Sequence, residues 1–388
     1  MFDSEAPTRV VRLERIELTN VRTYARLDLT LESGLTVLVG ANGVGKTNLL
    51  EAVAVALTGA SPRTSAELRL VREGSAAARI AAQVRIGEDV HAREVVFEPG
   101  RGKALRVDAN AARGVDAYSA QTPALTFLPE RLLIIRGAPA RRRALVDHLT
   151  ARVVGGAAAN LRAYEHALRQ RNSLLRRGKS SRVDEGQLAP WTEQLIERGA
   201  HVRADRDALL LRLAAPFAAR FTQLTDLTDA RFVVHPRGGR DIAAALEEAA
   251  PLERRRGTTS AGPHLDELAP EVADRDLRAF GSTGEQRAAL LAFTLAARDV
   301  LGEALGVAPV LLLDEPWSEL DQDRRERLTS SLLGEGQVLV TSTEPPAHLV
   351  ELRAAGADID VRHVSLGVVK PWIPATPPSL PISPTPPS

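Results

Sequence analysis

The chain has 388 residues, 44% of them hydrophobic and 26% charged, so it is long enough for two packed units and can bury a core. It contains no cysteine, which excludes disulfides, thiolate metal sites and cysteine nucleophiles. The net charge of +1 gives no overall attraction to nucleic acid. Because no apolar run approaches a signal peptide or a membrane span, we expect a cytoplasmic protein with no membrane contact.

The first 130 residues predict a lobe rich in strands. Residues 10–20 alternate roughly between apolar and polar side chains, and residues 35–39 form a short apolar run that is typical of a buried strand. Residues 48–57 follow with helical spacing and stop at Gly59. Further runs of β type occupy residues 27–31, 80–86, 90–97 and 105–108.

From residue 131 the pattern changes to helices, and a sheet pattern returns near the end. Residues 157–175 and 191–221 carry apolar side chains at three- and four-residue spacing. Glycines, Pro236 and Pro251 predict breaks after them. A long helix is then predicted over residues 281–301, with strands at 310–313, 338–341 and 359–366.

These patterns predict an α/β protein in which a mainly helical lobe interrupts one sheet-containing domain. The predicted divisions are residues 1–130 and 256–370 for the two parts of the α/β domain, 131–255 for the helical lobe, and 371–388 for a tail. The tail contains eight prolines and almost no charge, so we expect it to be disordered.

One segment matches the pattern G-x-x-x-x-G-K-[S/T] of a P-loop. Its glycines let backbone N–H groups face phosphate oxygens, and the following helix presents its positive end to the same anion. Lys46 then reaches the β- and γ-phosphates of ATP, and Thr47 coordinates Mg2+. A glycine-rich turn with an accidental lysine is the alternative, but the flanking strand and helix favour a P-loop. The predicted ATP-binding residues are Gly40, Ala41, Asn42, Gly43, Val44, Gly45, Lys46, Thr47 and Asn48.

The apolar run at 310–313 ends in two acidic residues, Asp314 and Glu315. A P-loop ATPase needs a carboxylate near its metal and usually a base that aligns water. We assign Asp314 to the metal, together with Thr47, and Glu315 to the water. The alternative is a core strand that ends in two solvated acids, and the presence of the P-loop disfavours it. With Lys46, these two acids form the predicted catalytic set.

Residues 281–287 open a helix with the capping-box pattern S-x-x-E, formed by Ser282 and Glu285. Capping does not explain Gly284, which weakens a helix but allows close approach of a phosphate. The segment resembles the ABC signature, and Ser318 to Asp321 resembles the D-loop. This resemblance implies a homodimer in which the signature of one subunit covers the ATP of the other, through Ser282, Thr283, Gly284 and Glu285.

Several strings identify one branch of this superfamily. Lys46 and Asp314 lie 268 positions apart, which is too far for a compact transporter ATPase and leaves no room for long coiled-coil arms. The strings at residues 20–24, 127–130, 137–147 and 261–266 are similar to those of the RecF family of bacterial recombination mediators. The resemblance covers nearly the whole chain, from about residue 11 to 366.

Membership in that family implies an ABC-type P-loop ATPase head and a function in recombinational repair and replication restart. It implies ATP-dependent binding of double-stranded DNA and of junctions between single and double strands. It also implies slow ATP hydrolysis, an ATP-dependent homodimer, and the partners RecR and possibly RecO in loading RecA.

The sequence departs from the family pattern at a few positions. Leu265 and Glu267 replace an arginine and an aspartate of the common Gly-Pro-His-Arg-Asp-Asp string, and Thr283 and Glu285 replace two glutamines of the signature. Glu315 replaces an aspartate and matches most ABC ATPases instead. None of these changes removes a predicted phosphate ligand.

Basic residues suggest where DNA binds. Residues 131–182 contain thirteen arginines or lysines against two acids. Such a cluster can neutralise backbone phosphates, although a chain this rich in arginine also carries solvated basic helix faces. The candidate DNA-binding residues are Arg141, Arg142, Arg143, Arg176, Arg177 and Lys179.

Three single residues and three rival functions remain open. Arg63 lies near the nucleotide or forms a surface ion pair, His264 contacts the dimer site or is structural, and Gln121 is a candidate for sensing the attacking water. The rivals are an ABC ATPase subunit of a transporter, one of a nuclease, and a nucleotide-dependent scaffold that does not hydrolyse ATP.

Overall fold

The computed structural model describes residues 9–32, 34–128, 135–178, 184–334 and 336–373. Across these residues, no helix is both long and apolar enough to span a bilayer. The strands are β1 (Arg9–Val21), β2 (Tyr24–Thr30), β3 (Leu35–Val39), β4 (Ala78–Ile86), β5 (Asp89–Glu98), β6 (Gly102–Val107), β7 (Asn110–Ala111), β8 (Ala124–Phe127), β9 (Ala230–His235), β10 (Glu267–Val272), β11 (Arg275–Asp276), β12 (Val307–Ala308), β13 (Val310–Asp314), β14 (Val338–Ser342), β15 (Ile359–Ser365) and β16 (Val368–Pro371).

The α-helices are α1 (Lys46–Thr58), α2 (Val115–Ser119), α3 (Pro139–Val153), α4 (Ala157–Arg177), α5 (Glu185–Thr225), α6 (Ile242–Arg256), α7 (Leu277–Phe280), α8 (Thr283–Leu305), α9 (Gln322–Leu332) and α10 (Ala347–Ala354). Two 3-10 turns, Glu67–Leu70 and Pro263–Leu265, complete the described elements.

A largely parallel sheet forms the centre of the protein, with the strand order β16-β15-β3-β14-β13-β8. Its middle strands are apolar on both faces, as strands covered on both sides must be. In β3, Val37 and Val39 join a core shared with α8 and α5, whereas Leu38 joins the core around α1. The carboxyl ends of β3, β13 and β14 therefore meet at one buried edge.

A second, largely antiparallel sheet packs on the other side of α1, with the order β12-β1-β4-β5-β6-β7 and with β2 paired to β1. Helix α1 is buried on nearly all sides because it lies between the two sheets. This explains its composition of alanine, leucine and valine. The strands predicted at 10–20, 35–39, 80–86 and 90–97 are confirmed as β1, β3, β4 and β5.

The inserted lobe consists mainly of α3 to α6, and the predicted α/β architecture with a helical insertion is confirmed. Helix α5 is 41 residues long and continues through Pro190 and Pro216. The break predicted at Pro251 is wrong, because α6 runs through it. The lobe also contains a strand that the sequence did not predict: β9 pairs with β10 and β11 in a small antiparallel sheet.

Ion pairs that are mostly buried link the helices of the lobe to one another and join the lobe to the start of β10. They lie between Arg142 and Glu267 (2.7 Å), Arg171 and Glu253 (2.7 Å), Arg203 and Asp266 (2.8 Å), and Arg206 and Asp147 (2.7 Å). We call these eight residues the lobe-base network. Buried charges require such partners, because an unpaired one is very unfavourable. The pairs of Glu267 and Asp266 fix the lobe to the ATPase-like domain, and the other two pairs hold the lobe helices together.

Of the predicted tail, the structure describes residues 371–373 only. The prediction of disorder concerns residues that otherwise lie outside the described part of the chain.

Candidate nucleotide-binding site

The loop between β3 and α1 is shaped by its glycines and by a neighbouring turn. Gly45 has a φ of 113°, and a Cβ atom there would lie 2.7 Å from Thr23 Oγ1. Tyr24 donates a hydrogen bond from its hydroxyl to the Gly45 carbonyl (3.0 Å). Only glycine suits this left-handed and crowded position. The turn between β1 and β2 thus holds the end of the loop against α1.

Lys46, the first residue of α1, is only 5% exposed. Its Nζ donates to the carbonyls of Gly40 (2.7 Å) and Ala41 (3.1 Å), and it lies 3.3 Å from Glu315 Oε1. The lysine is therefore folded back along the loop and paired with the predicted base. A triphosphate in the loop offers the same ammonium group a stronger anionic partner.

Thr47 and Asp314 meet as the sequence predicts. The Thr47 hydroxyl lies 3.0 Å from both carboxylate oxygens of Asp314, and Thr341 of β14 donates to the same carboxylate. Hard oxygen atoms are what Mg2+ prefers, and it commonly uses one or two protein ligands with the phosphates. The residues present therefore fit a magnesium site. Thr341 was expected only as a residue of the strand end, and its contact to Asp314 was missed.

Hydrogen bonds to its backbone hold Glu315 in place. Its φ is 50°, in the left-handed region that a non-glycine residue rarely adopts. The Glu315 N–H donates to Thr341 Oγ1 (3.0 Å), and its carbonyl accepts from Ser318 Oγ (3.0 Å) and from Arg287. Arg287 is buried on α8, and desolvation lowers its pKa. Sequence analysis did not identify Arg287, because it reads as one more arginine of a helix.

The signature segment caps α8 as predicted. Ser282 Oγ accepts from the Glu285 N–H (3.2 Å), and the Glu285 carboxylate accepts from the Ser282 N–H (2.6 Å). Ser282 and Thr283 are exposed. A Cβ atom on Gly284 would meet nothing closer than Arg324 Nη1 at 3.7 Å, so space within the chain does not require glycine there. The start of α8 is thus capped within the chain, while Ser282 and Thr283 are accessible to a neighbouring molecule.

The predicted D-loop residues follow Glu315 directly. Ser318 supports the Glu315 carbonyl, as described above, while Asp321 caps α9 by accepting from the Arg324 N–H (2.9 Å). Asp321 is exposed. Ser318 therefore belongs to the inner side of the site, and Asp321 to the surface.

The three open single residues have distinct outcomes. Arg63 Nη1 reaches both Asn48 Oδ1 (3.3 Å) and the buried carboxylate of Glu51 (3.3 Å), so it supports the start of α1. His264 is structural: its Nδ1 bonds Tyr164 Oη at 2.6 Å, and burial lowers its pKa to about 4. The prediction for Gln121 is wrong. Gln121 precedes β8, at the amino edge of the parallel sheet, whereas Asp314 lies at the carboxyl edge.

The predicted DNA-binding arginines divide into two groups. Arg142 is 2% exposed and donates to Glu267 and to the carbonyls of Ile135 and Gly137, so its prediction as a DNA contact is wrong. Arg143 is half-buried and donates to the Asp266 carbonyl (2.8 Å). The exposed members of the set are Arg141, Arg176 and Arg177, and Lys179 lies outside the described residues.

Comparison with known proteins gives consistent relatives. Residues 15–153 match a family model described as an AAA domain. Proteins named DNA replication and repair protein RecF align with most of the chain. The relative from Herpetosiphon aurantiacus is 34% identical over 365 residues, which cover 86% of this chain and 93% of the relative. The one from Symbiobacterium thermophilum is 35% identical over 379 residues, covering 91% and 100%.

Two solved structures share the fold. A structure of the recombination mediator protein RecF with ATP, from the RecFOR pathway, has a TM-score of 0.82 at 24% identity and covers 96% of this chain and 100% of that chain. The Smc head domain of Pyrococcus furiosus, with an extended coiled coil and bound to the C-terminal domain of ScpA, has a TM-score of 0.57 at 20% identity, covering 93% and 95%. At these identities, the likeness concerns the fold.

Proposed function

This chain belongs to the RecF family of DNA replication and repair proteins, and we propose that it is an ATP-gated, dimeric DNA-binding ATPase. The observation that carries the proposal is the cluster of Lys46, Thr47, Asp314 and Glu315 at the carboxyl edge of the parallel sheet. Thr47 contacts Asp314 and Lys46 contacts Glu315, at a P-loop and helix N-terminus of the kind that binds anions.

ATP binding replaces the internal contacts of Lys46. The ammonium group leaves the Gly40 and Ala41 carbonyls for the β- and γ-phosphates, which frees Glu315 from its 3.3 Å ion pair. Thr47 and Asp314 would hold Mg2+, which neutralises phosphate charge when bound. Glu315 is then available to orient the attacking water.

The signature segment supports a homodimer. Ser282 and Thr283 are exposed, and Gly284 has open space on its side. We place them over the triphosphate of a second copy, where the helix N-terminus and the Ser282 hydroxyl stabilise the γ-phosphate. Asp321 and Ser318 lie next to this interface.

DNA binding is assigned to the exposed basic surface of the helical lobe, through Arg141, Arg176 and Arg177. These residues neutralise backbone phosphates without reading sequence. We propose double-stranded DNA and single- to double-strand junctions as ligands, with RecR and possibly RecO as partners in the cytoplasm. The solved RecF is described as a protein of the RecFOR pathway, and this description, rather than the shared fold, suggests these partners.

Light scattering with and without ATP tests the dimer. We expect Glu315→Gln to accumulate ATP-bound dimers, because binding is intact and the water is not activated. Lys46→Met should not dimerise at all. Lys370→Met removes an exposed lysine and is the matched control, with wild-type behaviour expected. Equal dimer fractions in the Glu315 and Lys46 variants would contradict the proposal.

Two further measurements test gating and turnover. Retention of duplex DNA is compared with ATP, with ADP and without nucleotide at two salt concentrations, and we expect ATP alone to raise it. Phosphate release with and without duplex DNA separates an ATPase from a scaffold that does not hydrolyse ATP. DNA retention that is independent of nucleotide would exclude a gated clamp.

A further inference from the structure

Arg136 lies against the start of α8, next to the signature segment. Its Nη2 donates to Thr283 Oγ1 (2.8 Å) and its Nε donates to Gln286 Oε1 (2.5 Å). The arginine itself is exposed. It precedes α3 and is 147 residues away from Thr283 in sequence, so the contact is made by the fold. The guanidinium group of Arg136 is thereby held beside Thr283, the residue between Ser282 and Gly284.

The orientation of Arg136 is set by a buried partner. Gln286 is 4% exposed, and its amide nitrogen donates to the carbonyls of Leu277 (2.8 Å) and Gly281 (3.2 Å). Its Oε1 atom must therefore face outward, toward the guanidinium group. Thr283 supplies the second acceptor through its hydroxyl, so the threonine side chain helps to position Arg136.

The charge of Arg136 has no anionic partner among the described residues, since both of its acceptors are neutral. The start of α8 also has backbone N–H groups that can bind an anion. The N–H groups of Ser282 and Glu285 are used by the capping box, and that of Gln286 donates to the Ser282 carbonyl (3.0 Å). The N–H groups of Thr283 and Gly284 remain, since the first turn of a helix has no internal acceptors.

We propose that Arg136 binds the γ-phosphate of the ATP held by Lys46 of a second copy of this chain, beside Ser282. The inference rests on the proposed dimer. A charged guanidinium group forms a stronger hydrogen bond with a terminal phosphate than a neutral hydroxyl does. Arg136 is thus a residue of the nucleotide site that is supplied entirely by the other subunit.

The test uses full-length protein carrying Glu315→Gln, in which ATP-bound dimers accumulate. We expect Arg136→Gln to raise the ATP concentration for half-maximal dimerisation about ten- to a hundredfold, the range for a lost charged hydrogen bond. Arg136→Lys should restore part of this loss because it keeps the charge. Arg162→Gln removes an exposed arginine of α4 and is the control, with no change expected.

A second measurement separates a contact in the other subunit from one in the same chain. Binding of a fluorescent ATP analogue is measured at protein concentrations below those that give dimers. Arg136→Gln should bind it with wild-type affinity, and its thermal stability should match that of Arg162→Gln. A weakened monomer affinity would place Arg136 in its own subunit's site and overturn the inference.

The two proposals fail in different ways. If the Glu315→Gln parent does not dimerise with ATP, the proposed function is wrong. If it dimerises and the added Arg136→Gln changes nothing, only the role of Arg136 is wrong. A loss that Arg136→Lys does not rescue at all would show that shape, rather than charge, is what the position supplies, and would also overturn the phosphate contact.

Discussion

The nucleotide site and the lobe-base network use the same charged residue types for opposite purposes. In the network, Asp266 is fully buried, and Arg203 donates hydrogen bonds to both of its carboxylate oxygens at 2.8 and 2.9 Å. At the signature, Arg136 is exposed and bonds only neutral atoms. One region satisfies its charges within the chain, while the other leaves a cation for a ligand. The function of an arginine therefore follows from its partner and its burial rather than from its identity.

The largest effect should come from breaking the network. Asp266→Asn leaves Arg203 buried without a counter-charge, and we expect a loss of about 3–5 kcal/mol in the free energy of unfolding. Asp207→Asn is the control, because its pair with Arg240 (2.9 Å) is exposed, and it should cost at most about 1 kcal/mol. Urea denaturation measures both. Similar losses in the two variants would show that burial does not distinguish these pairs.

His264 extends the comparison to pH. Burial lowers its folded pKa to about 4 from an ordinary 6.5, so the unfolded chain binds more protons between these values. Stability must then fall as the pH falls through this window, by about 2 kcal/mol at pH 5 from this residue. We expect His264→Gln to lose that part of the difference between pH 7 and pH 5 in urea denaturation. An unchanged pH dependence would mean that the pKa of His264 is not lowered in the folded protein.

Ser282→Ala tests whether the signature serves more than the helix. Removing an N-cap costs about 1 kcal/mol, and Asp241→Ala removes the cap of α6 at a similar cost. Only Ser282→Ala should also prevent ATP-dependent dimers, as measured by light scattering. If both variants dimerise alike, the serine is a cap and nothing more.

The smallest effects concern the basic surface. Arg176→Gln with Arg177→Gln should flatten the plot of log affinity against log salt for duplex DNA by about 0.9 per lost phosphate contact. Filter binding at several salt concentrations measures this slope. Arg142→Gln should leave the slope unchanged in the protein that remains folded, since Arg142 pairs with Glu267. A slope change in the Arg142 variant instead would reverse the assignment.

The sequence predicts the part of the site that depends on local pattern. Lys46 and Thr47 come after β3 and Asp314 ends β13, so they meet at the carboxyl edge of one parallel sheet. The capping box of Ser282 needs only neighbours in sequence. Arg136 and Arg287 were missed because their contacts, with Thr283 and the Glu315 carbonyl, depend on packing between distant segments. Arg142 was misassigned for the same reason: three consecutive arginines give no sign of which one faces inward.

Helix α8 begins at the signature and, one turn later, holds the Glu315 carbonyl of its own chain through Arg287. In the proposed dimer, a displacement of α8 by the neighbour's triphosphate would also move the carbonyl of Glu315, the residue proposed to activate water in the same subunit. We expect the two ATP molecules of a dimer to be turned over with positive cooperativity, so that the rate rises with ATP more steeply than a single independent site allows.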